Sequence, residues 1–255
     1  MRALVLLMMM SLAGPAWAGG LHEPWERLLQ TYVSRGDDGV NRFDYQAVTP
    51  QDRSALQTYL GTLQATKVSG LPRAEQMAVW INLYNALTVE VVLEAYPVGS
   101  IREIKNGLIS IGPWGKDRVK VEGEDLSLND IEHEILRKQW DDPRIHYAVN
   151  CASWSCPDLA GRAYTAERLE AMLDDGARAY INHPRGVWFE GGRLQVSSIY
   201  RWYKEDFGDT DAGVIAHLKR YAAPDLKAKL DGVDHIAGTD YDWTLNEPGK
   251  ARGDW

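Results

Sequence analysis

Residues 73–96, RAEQMAVWINLYNALTVEVVLEAY, decide the architecture. Read at the helical repeat, Met77, Trp80, Ile81, Leu83, Tyr84, Leu87, Val91, Val92 and Leu93 leave almost no polar face, and a helix apolar nearly all round is surrounded by the rest of its protein. Asn82, Asn85 and Glu90 interrupt the run, which suits a core helix rather than a membrane span. Asn82 and Asn85 stand about 60° apart on the helical wheel, so both amides reach one region. An amide buried without partners costs about 1–3 kcal/mol. The pair therefore either ties down nearby loop carbonyls or lines a reactive site, and the residues alone leave both open.

Working outward toward the N-terminus, Thr49-Pro50 opens a helix over about 51–64 with Leu56, Leu60 and Leu63 inward. Trp25, Leu28, Leu29, Tyr32 and Val33 space an amphipathic helix over 22–33, and 43–48 is a short extended piece. Residues 1–18 combine Arg2, an apolar run and Ala16-Trp17-Ala18, the order of a cleavable secretory signal. The expected mature protein, 19–255, is a single secreted or periplasmic domain with its core over about 73–247 and no membrane insertion. The net charge of −8 argues against nucleic acid or an anionic membrane as partner.

Toward the C-terminus, 119–122 and Gly123 make a hairpin, and Ser127 with Asp130 caps a further helix. Leu128, Ile131, Ile135 and Leu136 form its inward stripe. Glu132 falls within that stripe and His133 at its border, about 100° further round. A carboxylate on a core face requires a partner or a proton. Residues 144–152, RIHYAVNCA, alternate as a strand ending at Cys151, with a loop over 153–157. Thr165 caps a helix reaching about 180; 187–189 and 194–197 form a hairpin; 199–207 is a short aromatic helix; a helix spans 212–221; and an irregular tail carries Tyr241, Trp243 and Leu245. Helices and short strands interleave without a βαβ repeat, which predicts an α+β domain with a buried central helix and a small antiparallel sheet.

A cysteine at a strand end, with a histidine and carboxylate on a nearby helix, is the minimum kit of a thiol nucleophile. His133 is placed to take the Cys151 proton, with Glu132, Asn82 or Asn85 orienting the ring, and the amides of Ala152 and Ser153 to hold an oxyanion. The competing reading is a buried cysteine with a packing histidine. A further alternative pairs Cys151 with Cys156 as a redox or structural disulfide, although the spacing is not C-x-x-C. The six histidines show no metal-ligand spacing, and no motif calls for a cofactor. His146 reads as hydrogen-bonded beneath the sheet; His22, His183, His217 and His235 read as surface or loop residues.

Trp80-Ile81-Asn82-Leu83-Tyr84-Asn85-Ala86-Leu87, Leu128-Asn129-Asp130-Ile131-Glu132-His133, the stretch HYAVNCASWSCP over 146–157, Ile199-Tyr200-Arg201-Trp202-Tyr203 with Asp206-Phe207, and Tyr241-Asp242-Trp243 together resemble the family known as domain of unknown function 547, in its bacterial exported branch. The resemblance implies a Cys–His site of papain-like or transglutaminase-like character, permuted because His133 precedes Cys151, with Cys156 the less essential thiol. The expected function is that of a secreted thiol-dependent hydrolase or acyl transferase acting on peptide-like amide bonds. The alternative is a non-catalytic module of the same fold that binds a peptide or small thiol, with Trp154, Trp202 and Tyr203 as contact surface.

Overall fold

Helix α3, Arg73–Ala95, buries every residue from Met77 to Val92, and the other elements are arranged around it. The structure is a computed structural model that describes residues 20–105, 112–250 and 252–253; the expected signal, 1–18, lies outside the described residues. Helices α1, Glu23–Tyr32, and α2, Pro50–Ala65, pack their apolar stripes on one side of α3, with the Trp25 and Tyr59 rings stacked at 6.3 Å. Thr49 caps α2 by accepting the Asp52 N–H at 3.1 Å, and Pro50 occupies the first turn, where its missing N–H is harmless. Glu90 is the one carboxylate inside α3, and Arg53 and Gln57 of α2 meet it at 2.9 and 2.8 Å.

The strands are short. Val33–Arg35 (β1) pairs with Asn41–Phe43 (β2), and Val119–Val121 (β3) with Glu124–Leu126 (β4), each antiparallel. Val187–Glu190 (β5) and Arg193–Ser197 (β6) form the expected hairpin, but Gly238–Asp240 (β7) adds to β6 in parallel, so the largest sheet is mixed rather than antiparallel. That sheet, helix α5, Leu169–Ile181, and helix α7, Asp211–Tyr221, enclose a second apolar cluster around Tyr147, Tyr180, Tyr200 and Phe207. Helix α5 spans both clusters: Leu169 and Leu173 belong to the α3 core, Ala177 and Ile181 to the other. Gly176 permits the crossing, since a Cβ there would stand 3.1 Å from the Tyr147 carbonyl. The chain is thus an α+β single domain with a buried central helix.

Several expectations need correction. Residues 144–152 are not a strand: Pro143–Tyr147 is a 3-10 turn, capped by Asp142, whose carboxylate accepts the Arg144 N–H at 2.9 Å. The groups a ladder would need are taken by side-chain amides instead, Ala148 O and Asn150 N–H by Asn85 and Ala152 N–H by Asn150. The helix after Ser127 is π-helical over Asp130–Leu136 before an α-helical turn, α4, Arg137–Trp140, although Ser127 and Asp130 do form the reciprocal cap. Helix α5 starts at Leu169 rather than after Thr165, and helix α8, Pro224–Leu230, follows α7 without having been foreseen. Among the described residues no helix is long and apolar enough to cross a membrane.

Candidate active site

The loop that carries Cys151 is held from three sides. Asn85, on the buried face of α3, donates to Ala148 O at 2.9 Å and accepts from Asn150 N–H at 2.8 Å. Asn150 in turn accepts the Ala152 N–H at 2.8 Å and donates to Pro157 O at 2.7 Å, so one side chain staples both ends of the loop. From the opposite face the buried Arg185 donates to Trp154 O (3.1 Å), Cys156 O (2.8 Å) and the Asp158 carboxylate (2.7 Å), and the Tyr180 hydroxyl donates to Ser155 O at 2.6 Å. The turn after the cysteine is tight enough to put Ala152 at φ 58°, a left-handed conformation that a residue with a Cβ adopts only when its surroundings impose it.

This loop forms one wall of a cleft of about 500 Å³ between the two apolar clusters. Cys151 is half-buried, and its sulfur lies 2.9 Å from Cys156 Sγ, 3.2 Å from Ser153 Oγ and 3.1 Å from the Tyr241 hydroxyl. Ser153 and Tyr241 also meet each other at 2.8 Å. Burial by itself would raise the Cys151 thiol, but the hydrogen bonds from Cys156, Ser153 and Tyr241 outweigh it and bring the thiol below its ordinary value, with the Glu132 charge working the other way. Cys156 is driven strongly upward by burial and by its neighbouring sulfur, and its Sγ accepts from the Cys151 N–H at 3.0 Å. Tyr241 is raised likewise by burial and by the Cys151 charge. A thiolate at Cys151 therefore has donors already in place.

The cleft brings Glu132 and His133 to the same lining as Cys151. Glu132 is buried, and the nearby Tyr203 hydroxyl is pushed far upward by burial and by the Glu132 and Cys151 charges. His133 lies at the rim, 3.4 Å from Arg137 through Nδ1 and beside the Tyr203 ring at 5.8 Å. Among the described residues the polar partners of the Cys151 sulfur are Cys156, Ser153 and Tyr241, so His133 shares the cleft without touching the thiol. Asn82 and Asn85 do not line the cleft. Asn82 clamps Tyr164, donating to its carbonyl at 2.8 Å and accepting its N–H at 3.0 Å, as Asn85 clamps the cysteine loop; both tie down loops, the first of the two roles the residues left open. The expected oxyanion donor Ala152 N–H is occupied by Asn150.

A second histidine was missed. His146 lies under no sheet; it lines the cleft with its Nε2 2.6 Å from Asp206, its Nδ1 3.8 Å from Glu132 and its ring stacked on Tyr203 at 4.1 Å. Burial alone would raise the Asp206 carboxyl, but His146 and Arg137, the latter at 2.6 Å, hold it far below the usual carboxylate range. His217 is likewise no surface residue: on α7 it meets the buried Tyr147 hydroxyl at 2.9 Å. Of the expected contact residues, Trp202 is 47% exposed and lines the cleft with Tyr203, Trp114, Tyr241 and Trp243, whereas Trp154 does not line it. The His146–Glu132 pairing is invisible in sequence because the strand misreading pointed His146 away from the thiol. Among the described residues no group of three or more His, Cys, Asp or Glu is arranged to hold a metal ion.

No curated protein and no solved structure matches the chain significantly. The family model described as "Protein of unknown function, DUF547" matches residues 68–181, which hold Asn82, Asn85, Glu132, His133 and both cysteines but not the motifs around 199–207 and 241–243. Across that stretch the chain is similar to domain of unknown function 547, the family its motifs resemble.

Proposed function

We propose that this protein is an exported thiol-dependent hydrolase or acyl transferase that acts on peptide-like amide bonds with Cys151 as nucleophile. The observation that carries the reading is the convergence of Cys156, Ser153 and Tyr241 on one half-buried sulfur at the wall of an aromatic cleft. In this reading the Cys151 thiolate attacks the amide carbonyl, and His133 or Glu132, both on the same lining, delivers a proton to the departing amine. Water or an acceptor amine then displaces the sulfur from the thioester, restoring the thiolate and returning a proton to the base. The permuted papain-like order, with the histidine ahead of the cysteine, and the export signal over 1–18 belong to the same proposal.

Alkylation tests it. A free thiol of pKa about 8.5 is only about 1% thiolate at pH 6.5, so a lowered thiol holds more of the reactive form there and alkylates faster. We expect iodoacetamide to modify Cys151 faster than a free thiol at pH 6–7, and His133→Ala to alter that pH profile. A rate no faster than that of a free thiol, with no effect of His133→Ala, would leave a module that binds ligands in this cleft without chemistry.

A further inference from the structure

In the hydrolase reading Cys156 only touches Cys151, and its own sulfur takes part in no chemistry. Cys156 is buried and adjoins the same cleft, and the two sulfurs lie 2.9 Å apart. A covalent S–S bond is about 2.05 Å long, so less than about 1 Å of approach separates contact from a bond. Both partners are held for it. The Cys151 N–H donates to Cys156 Sγ at 3.0 Å, the Cys156 N–H donates to Ser153 O at 3.0 Å, and Arg185 grips the Cys156 carbonyl. Access is unequal, because Cys151 is half-buried while Cys156 is 3% exposed behind it.

We propose that Cys151 and Cys156 form a dithiol–disulfide exchange centre for low-molecular-weight disulfides, with Cys151 the attacking thiol and Cys156 the resolving one. The Cys151 thiolate attacks one sulfur of RS–SR, forming Cys151–S–S–R and releasing RS⁻. Cys156 then attacks the Cys151 sulfur, the S–S bond between Cys151 and SR breaks, and the Cys156 proton passes to the departing second RS⁻. The two protein thiols are oxidised to one disulfide, the small disulfide is reduced to two thiols, and two electrons change hands. The second step is intramolecular between atoms already in contact, which makes it fast relative to attack by a thiol from solution. The proposal takes from the hydrolase reading only the reactivity of Cys151. It adds a reversible covalent state in which the nucleophile is withdrawn from acyl chemistry.

The experiment incubates the mature protein with excess oxidised glutathione, quenches with acid, alkylates the remaining thiols and weighs the intact chain. The expected wild-type product has lost both thiols and carries no glutathione. Cys156→Ser, and Cys156→Ala in case the serine hydroxyl disturbs the loop, should instead retain one glutathione on Cys151. A wild-type chain that keeps a stable glutathione adduct, or both thiols, would overturn the proposal. The iodoacetamide rate is a separate measurement. Fast alkylation without an internal disulfide removes the exchange centre and leaves the hydrolase reading; an internal disulfide with a pH profile that His133→Ala leaves unchanged does the reverse.

Discussion

Tyr241 and Ser153 touch each other as well as the Cys151 sulfur, so the thiol is served by a small hydroxyl cluster rather than by independent donors. A hydrogen bond to a charged acceptor is worth about 1.5–3 kcal/mol, of which the remaining donors recover part. Tyr241→Phe should therefore raise the Cys151 thiol and slow its alkylation at pH 6.5 by up to about tenfold, as read by iodoacetamide kinetics across pH. Asp206 offers a second check. Its carboxyl is held low in the folded chain by His146 and Arg137, so the stability it contributes is present above the unfolded-state value near 3.9 and is lost as pH falls toward the folded one. Asp206→Asn should cost about 2–3 kcal/mol at pH 7 in urea unfolding, a gap that narrows below about pH 4. Cys151, Glu132 and His133 were legible from local pattern because each sits in a recognisable motif. Tyr241 and Asp206 fall in motifs too, but their bonds to Cys151 and His146 were not legible, since 90 and 60 residues separate the partners.

Helix α3 was legible almost to the residue, because an apolar run of that length admits one reading. The segment over 144–152 was not: its alternation of apolar and polar residues is real, but it arises from a 3-10 turn followed by a loop whose backbone is satisfied by Asn85 and Asn150. Periodicity reports which side chains are buried, and it is silent on which groups take up the backbone. The two α3 asparagines can be separated by experiment. Asn82→Ala and Asn85→Ala each strip two partners from a buried loop and should each lower stability by about 1–3 kcal/mol in thermal or urea melts. Only Asn85→Ala should also change the alkylation rate of Cys151, since Asn82 grips Tyr164 and does not line the cleft. Equal effects on the thiol would mean that the loops move together.

Across the whole molecule, two apolar clusters meet along α5 and along the segment from Ile145 to Pro157, with the cleft in their seam. The α+β class was readable from the order of elements, but the seam was not, since it depends on β7 returning to β6 from the far end of the chain. Because α5 threads both clusters, they should unfold together: thermal transitions followed by tryptophan fluorescence and by far-ultraviolet circular dichroism should coincide, and a split transition would show them to be separable. The anchoring of the cysteine loop by Asn85, Asn150 and Arg185 also settles which wall of the cleft is the anvil. With that wall pinned, adaptation to a visitor falls to the four-residue helix α6, Ile199–Trp202, which ends in the most open large aromatic side chain among the described residues, packed on Tyr241 and Trp243. Trp202 is thus the natural reporter of occupancy, and a small molecule that fits this groove must be shaped to the sulfur's side and can be generous toward the indole's.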